Sequence, residues 1–329
     1  MTARLLLISL CLAAAALIGS TMLHADNADL TAPSTQPASG PTTRSATQPS
    51  THPAAAATRP AADKRPVHKV KTAKEFVDAI GSDRIIQIEP GDYNLTDFAK
   101  EEHKPRPHVQ IGTSYAQSEE EPAVQISRVK NLTIRCIGET KARLLAEPDS
   151  NVLKIGGSTN VELFNLELVH TSAPCSAECL WLTDCDGITV RDCTISGCGV
   201  VGIDAESVTD LHVDGCSINK CSSLAAMLKN CDKVHFRDTT ISSNQGGLKL
   251  ADCTGVEFIN CEISENVTQG NLIEMKTTTG VRMEAGSVRD NKFNKLSTED
   301  IQVKNVKIQD NGPAPKDGEG GEVPNTPGN

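Results

Sequence analysis

The stretch Gly187-Ile188-Thr189-Val190-Arg191-Asp192-Cys193-Thr194-Ile195-Ser196-Gly197-Cys198 decides the fold, because the chain repeats its pattern. The pattern returns at 210–221, 233–244, 255–266, 280–291 and 300–311, and a more diverged copy runs from 160 to 171. A period of roughly 21 to 27 residues is typical of a solenoid, in which each unit buries its apolar face only against its neighbours.

Each unit contains two short alternating strands followed by a third. After Gly187, the side chains of Ile188, Val190, Cys193 and Ile195 recur at the spacing of an inward face. The third strand of this unit runs over 201–206. Three strands per turn with no helix between them predict an all-β fold, a single-stranded parallel β-helix of about eight coils. Equivalent residues would stack about 4.8 Å apart.

A short helix is expected before the first coil. Thr72 and Glu75 form a capping box, and Phe76, Val77 and Ile80 share one helical face. An open solenoid end exposes core and unpaired backbone. We therefore expect this amphipathic helix to cap the N-terminal end.

Stacking also predicts columns of identical side chains. One corner column contains asparagines, whose side chains tolerate the left-handed backbone conformation and can bond between coils: Asn244, Asn266, Asn291 and Asn311. Two inward columns contain cysteines: Cys193, Cys216 and Cys261 in one, and Cys185, Cys231 and Cys253 in the other.

The chain has 12 cysteines, and all but Cys11 follow the N-terminal apolar segment. Stacked Cβ atoms near 4.8 Å apart lie somewhat beyond the usual disulfide range, so the inward cysteines are expected to be core-filling thiols. A column runs in one line and does not converge on a metal, so no metal site is predicted. Cys175 and Cys179 lie outside the columns and are the best candidates for a disulfide.

Composition divides the chain into four parts. Residues 1–25 are predicted to be a secretory signal peptide, 26–66 a disordered Pro/Thr/Ala-rich linker, 67–312 the β-helix and 313–329 a disordered tail. The protein is thus expected to be exported, as a secreted, periplasmic or cell-surface monomer. No other segment is apolar enough to cross a membrane. The net charge of −10 argues against nucleic acid as a partner.

These features resemble the pectin lyase-like right-handed β-helix superfamily. The resemblance covers roughly residues 67 to 312, with 72–95 similar to its cap and first coil, 129–134 and 157–166 to its early coils, and the later repeats to its coil consensus. It implies a right-handed helix whose ligand lies along the outward face of one stacked sheet. It leaves the activity open, because the superfamily includes lyases, glycosidases, epimerases, copper-pathway accessory proteins and non-catalytic adhesins.

The outward residues of the third strands are therefore the candidate site. They form two rows: Lys154, Trp181, Asp204, Met227, Lys249 and Glu274 in the first, and Thr183, Glu206, Lys229, Ala251 and Lys276 in the second. As a glycan groove, the rows would offer Trp181 as a stacking platform and Lys154, Glu274 and Lys276 as further substrate contacts.

Catalytic roles can also be assigned on these rows. Lys229 or Lys249 would neutralise a uronate carboxylate, and Glu206 or Asp204 would act as acid, base or calcium ligand. The alternative is a charge ladder without function, in which Glu206 neighbours Lys229 and Lys249 neighbours Glu274. The two acids lack acidic partners on adjacent coils, so calcium has no recognisable site and no cofactor is supported.

A second patch is predicted on the outer face of the first strands. His212 and His235 would stack on adjacent coils, beside a column of Arg191, Asp214 and Arg237. This arrangement could support His–Asp chemistry or form a salt-bridged exposed sheet. His170 is expected at the surface.

The sequence therefore predicts a secreted β-helix protein that binds, and in one version processes, extracellular polysaccharide. The alternatives are a non-catalytic adhesive rod and a polysaccharide lyase acting on a uronate-containing glycan. A glycoside hydrolase is disfavoured, because the later coils contain no Asp-Asp pair and no Gly-His-Gly.

Overall fold

The computed structural model describes residues 63–101, 104–112, 122–197 and 200–315. In these ranges the chain forms a parallel β-solenoid of about seven turns, with three sheets that run along it. Two further C-terminal turns have strands in two of the sheets only. The predicted fold class is confirmed. The predicted signal peptide, nearly all of the linker, most of the tail and Cys198 lie outside the described residues.

The first strand of each turn contributes to a ten-stranded sheet, sheet A. Its strands, in order along the solenoid, are Val67–Val70, Arg84–Ile88, Lys130–Cys136, Thr159–Phe164, Asp186–Arg191, Thr209–Asp214, Asp232–Arg237, Thr254–Ile259, Arg282–Glu284 and Gln302–Lys304.

The second strands form the nine-stranded sheet B. They are Gly91–Asn94, Ala142–Ala146, Leu166–His170, Thr194–Ser196, Ser217–Asn219, Thr240–Ser242, Glu262–Ser264, Ser287–Arg289 and Lys307–Gln309.

The third strands form the eight-stranded sheet C. They are Val109–Gly112, Ala123–Ser127, Leu153–Gly156, Leu180–Thr183, Val201–Glu206, Leu224–Lys229, Leu248–Ala251 and Ile273–Lys276. Every pairing in the three sheets is parallel except that of the first two strands of sheet C, which form an antiparallel pair that the repeat pattern did not predict.

The core fills the space between the three sheets. Ile188, Val190, Cys193 and Ile195, predicted to point inward, are each fully buried. The alternation of strand side chains sends every second residue inward, and parallel stacking places each beside its equivalent on the next turn. Phe236 and Phe258 show this directly, since their rings stack 5.1 Å apart on neighbouring turns.

The predicted N-terminal helix is present as α1, Ala73–Asp78. Thr72 Oγ1 accepts a hydrogen bond from the Glu75 backbone N–H at 3.1 Å, and Phe76 and Val77 are buried. Its function as a cap stays a prediction. A second helix, α2, Leu95–Glu101, was not predicted. The local signal for it is Asn94, whose Oδ1 accepts from the Asp97 N–H at 3.0 Å as an N-terminal cap does. Neither of these described helices approaches the length that spanning a bilayer requires.

The asparagine column forms as predicted, with one correction. The Nδ2 groups of Asn244, Asn266 and Asn291 each donate to the Oδ1 of the next asparagine, at 2.8, 2.9 and 3.0 Å. The left-handed conformation, however, belongs to the residue before each asparagine: Ser243, Glu265, Asp290 and Asp310. The asparagine is therefore required for its inward amide rather than for its backbone.

The cysteine columns are buried but interrupted. Thr239 stands between Cys216 and Cys261. Thr239 Oγ1 donates to Val213 O and Arg237 O. Cys216 Sγ donates in the same way to Val190 O and Asp214 O. The threonine hydroxyl and the cysteine thiol therefore use equivalent backbone carbonyls. In the other column, Val208 stands between Cys185 and Cys231. The structure joins none of these six column cysteines in a disulfide, and their thiol state stays a prediction.

Candidate functional site

The two predicted rows exist on the outer face of sheet C, in the predicted order. Trp181 pairs in register with Lys154 on one side and Asp204 on the other, and the row continues to Met227 and Lys249. The second row begins Thr183, Glu206, Lys229, Ala251 and ends at Lys276. Parallel pairing without a bulge keeps each row straight, because residues in register stay on the same face.

Trp181 and Lys154 form one unit. The Lys154 ammonium lies 4.1 Å from the centroid of the Trp181 ring, a cation–π contact between adjacent turns. The pair lines a shallow depression together with Gln125, Ile155 and Thr183. The expected open stacking platform is therefore covered on one ring face by a lysine. Gln125, which pairs in register with Lys154, is a contributor that the sequence did not point to.

Asp204 is unusual for an outward residue, because it is only 9 % exposed. Burial raises the pKa of its carboxyl to about 7, and the negative charges of Glu178 and Glu206 add to that shift while Lys229 opposes it. Asp204 stands one turn from Trp181. Its carboxyl can therefore hold or release a proton near neutral pH, which an ordinary surface aspartate cannot do.

Glu206 and Lys229 are joined to each other. Lys229 Nζ donates to Glu206 Oε1 at 2.6 Å, across one step of the sheet, and both side chains are partly exposed. The hydrogen bond to Glu206 raises the pKa of Lys229. This is the charge pair that the alternative interpretation of the rows predicted.

The remaining candidates lie further along the solenoid. Lys249, Glu274 and Lys276 are exposed, and Lys249 and Glu274 are neighbours in register. Lys249 stands three turns from Trp181 along the row. The structure therefore places five of the candidates on neighbouring turns: Lys154, Trp181, Asp204, Glu206 and Lys229. Lys249, Glu274 and Lys276 lie on later turns of sheet C.

The outer face of sheet A departs from the predicted charge column. Arg191, Asp214 and Arg237 are in register, but Arg191 bonds instead to Glu162 at 2.8 Å. The second predicted feature of this face is present: the His212 and His235 rings stack with centroids 4.9 Å apart.

Two predictions about the 166–180 region are wrong. His170 is buried, with Nε2 3.0 Å from Ser150 O, because the strand Leu166–His170 continues past Leu168 and its alternation turns the imidazole inward. Cys175 and Cys179 are not joined. Cys179 is buried beside His170, whereas Cys175 donates from the loop to Gly197 O at 3.3 Å.

The comparison with protein families agrees with this architecture. A family model described as "Right handed beta helix region" matches residues 151–320, more than half of the chain. The chain belongs to this right-handed β-helix family. Among curated proteins, no sequence matches it.

Several solved structures are similar to the chain at low identity. Pectate lyase Pel9A is 12% identical with a TM-score of 0.45, over 74% of this chain and 76% of that one. Tailspike protein 2 of Escherichia coli O157:H7 bacteriophage CAB120 is 12% identical with a TM-score of 0.45, over 72% of this chain and 36% of that one. PfbA, a surface adhesin of Streptococcus pneumoniae, is 9% identical with a TM-score of 0.38, over 71% of each chain.

The share of each solved chain that this chain covers differs between these structures. The chain spans 60% of the length of ORF18 of Geobacillus virus E2, to which it is 10% identical with a TM-score of 0.41 over 74% of its own length.

Proposed function

We propose that this β-helix binds an acidic, uronate-containing polysaccharide on the outer face of sheet C. The observation that carries the proposal is the Lys154 ammonium 4.1 Å above the Trp181 ring, in a depression that also offers Gln125 and Thr183. An aromatic ring, a cation and neutral hydrogen-bonding groups are the combination that a charged sugar requires.

The contact between Lys154 and Trp181 gives the site a way to discriminate between sugars. A uronate carboxylate would attract the Lys154 ammonium more strongly than the ring does, since a charge-assisted hydrogen bond exceeds an exposed cation–π contact. The ammonium would then leave the ring face, and the apolar face of the sugar could stack on it. A neutral sugar has no carboxylate to draw the ammonium away from the ring face, so it would bind more weakly.

Intrinsic fluorescence tests this proposal directly, because Trp181 is the only tryptophan of the chain. Uronate oligosaccharides should change its emission in a saturable manner, and neutral oligosaccharides of the same length should not. Lys154→Met should weaken uronate binding by roughly tenfold, as loss of one charge-assisted bond predicts. Lys249→Met, on the same row, serves as the matched control and should bind as the wild type does. Equal responses to acidic and neutral sugars would refute the proposal.

Asp204 favours a second candidate, β-elimination of the bound uronate. A carboxylate of pKa about 7 can accept a proton at neutral pH more readily than an ordinary aspartate. It would take the proton α to the uronate carboxylate while Lys154 neutralises that carboxylate. The bond to the leaving sugar oxygen then breaks, a C=C bond forms, and the leaving oxygen takes a proton from water.

Product formation separates this candidate from binding alone. An unsaturated uronate absorbs in the ultraviolet, and Asp204→Asn should abolish the rise in absorbance while leaving the Trp181 fluorescence response intact. Binding without any product would leave a non-catalytic recognition protein. Absence of both signals would favour the structural or adhesive rod.

A further inference from the structure

A compact group of potential metal ligands, which includes the stacked pair His212 and His235, lies on the outer face of sheet A, a different sheet from the one that carries Trp181. Asp210, His212 and His235 each offer one ligand atom, and these atoms lie within 4.8 Å of one another. All three residues are partly exposed, so an ion could reach them from solvent. We infer that they form a binding site for a divalent first-row transition-metal ion. This inference does not depend on the proposed glycan site, which occupies a different sheet.

Two of the ligand atoms are already at the distance that a shared ion requires. His212 Nε2 lies 3.1 Å from Asp210 Oδ1. Ligands about 2.0 to 2.2 Å from a tetrahedral ion are separated by roughly 3.3 to 3.6 Å. An ion could therefore be held between these two atoms with only a small adjustment of either side chain.

The third ligand is fixed in place by its neighbours. His235 stands in register with His212, and the two rings are inclined by only 20°. Glu257 Oε2 is 3.0 Å from His235 Nδ1, and Arg282 Nε holds the other oxygen of Glu257 at 2.7 Å. A carboxylate at Nδ1 keeps the proton on that nitrogen and leaves Nε2 to bind. The Glu257–His235 pair is therefore the outer support typical of metal-binding histidines.

The ligand set selects the class of ion. Two imidazoles and one carboxylate suit copper, zinc and nickel, whereas calcium and magnesium prefer all-oxygen sites. Three protein ligands leave coordination positions for water. By the general order of affinities, Cu²⁺ should bind more tightly than Zn²⁺.

Calorimetric titration of the untagged, chelator-treated full chain with each ion alone tests the inference. We expect one tight equivalent of Cu²⁺, weaker Zn²⁺, and no heat from Ca²⁺ or Mg²⁺ at the same concentration. His212→Ala and His235→Ala should each weaken Cu²⁺ binding by at least about tenfold, and Glu257→Gln by about tenfold through the lost support. His68→Ala, a partly exposed histidine of sheet A outside the cluster, is the matched control and should have no effect.

A spectroscopic measurement on the wild-type chain keeps the inference testable if a variant does not fold. Electron paramagnetic resonance of the Cu²⁺ complex should show coupling to imidazole nitrogens. A thiolate-to-copper charge-transfer band would instead assign the ion to the cysteines. That band, unchanged affinity in both histidine variants, or an equal response to Ca²⁺ would overturn the inference.

Discussion

Asn266 donates from Nδ2 to the Oδ1 of Asn291, one turn further along the chain, at 2.9 Å. The same Nδ2 also donates to Ile241 O, and Asn266 Oδ1 accepts from both the backbone N–H and the Nδ2 of Asn244. Asn266 is fully buried. One side chain thus satisfies polar groups on the turns before and after its own, where water cannot replace it.

Asn266→Ala should therefore destabilise the fold by about 3 kcal/mol, since several buried polar groups each lose a partner at roughly 1 kcal/mol or more. Asn311→Ala is the matched control. Asn311 occupies the last position of the column and is half-buried, so water can take over part of its bonding and the loss should be smaller. Urea denaturation of both variants measures the difference. Equal midpoints for the two would show that burial does not set the strength of the column.

The inward cysteines should remain thiols. Each of Cys193, Cys216 and Cys261 donates to a carbonyl of the preceding turn, between 3.3 and 3.6 Å, which is the position of a core residue. Burial raises the pKa of Cys261 to about 11, which disfavours the reactive thiolate. Because all six column cysteines are buried, an alkylating reagent cannot reach them in the native protein, and we expect them to react fully once the protein is unfolded without reductant. Mass spectrometry locates the labels, and a blocked column cysteine in the unfolded sample would indicate a disulfide instead.

Asp204 should make stability depend on pH. Its folded pKa of about 7 exceeds the ordinary value of 3.8, so the folded state binds a proton that the unfolded state releases. Its stabilising contribution is present below pH 3.8 and is lost progressively as pH rises through 7. Asp204→Asn cannot ionise, so it should be more thermally stable than the wild type at pH 8, with the advantage shrinking towards pH 4.

Melting temperatures across this pH range measure the effect. Glu274→Gln, at an exposed acid on the same row, is the control and should show little pH-dependent advantage. The melting temperature of Asp204→Asn minus that of the wild type should be larger at pH 8 than at pH 4. A smaller difference at pH 8 than at pH 4 would contradict the burial of Asp204.

Trp181 emission should report the Lys154 contact even without a ligand. Removing the ammonium 4.1 Å from the ring changes the electric field on the indole, so Lys154→Met should shift the emission of the free protein. Lys249→Met lies three turns away on the same row and should leave the spectrum unchanged. Identical spectra for all three proteins would show that Lys154 does not occupy the ring face in solution.

The repeat pattern alone predicted the solenoid, the identity of its third strands and the order of both outward rows. This was possible because the register of a parallel β-helix transmits one local alternation from turn to turn. Irregular segments carry no such repetition. The helix Leu95–Glu101 and the antiparallel pair formed by Val109–Gly112 and Ala123–Ser127 were missed for this reason.

What the sequence determined by itself was which residues share a column, because periodicity fixes the backbone position of every side chain. What only the tertiary structure decided was the environment of each side chain: Lys154 over the ring of Trp181, Asp204 withdrawn from water, His170 turned inward and Asp210 beside His212. These depend on side-chain conformation and on neighbours one turn away. Contacts of that kind are set by packing in three dimensions, whereas a sequence repeat specifies only register.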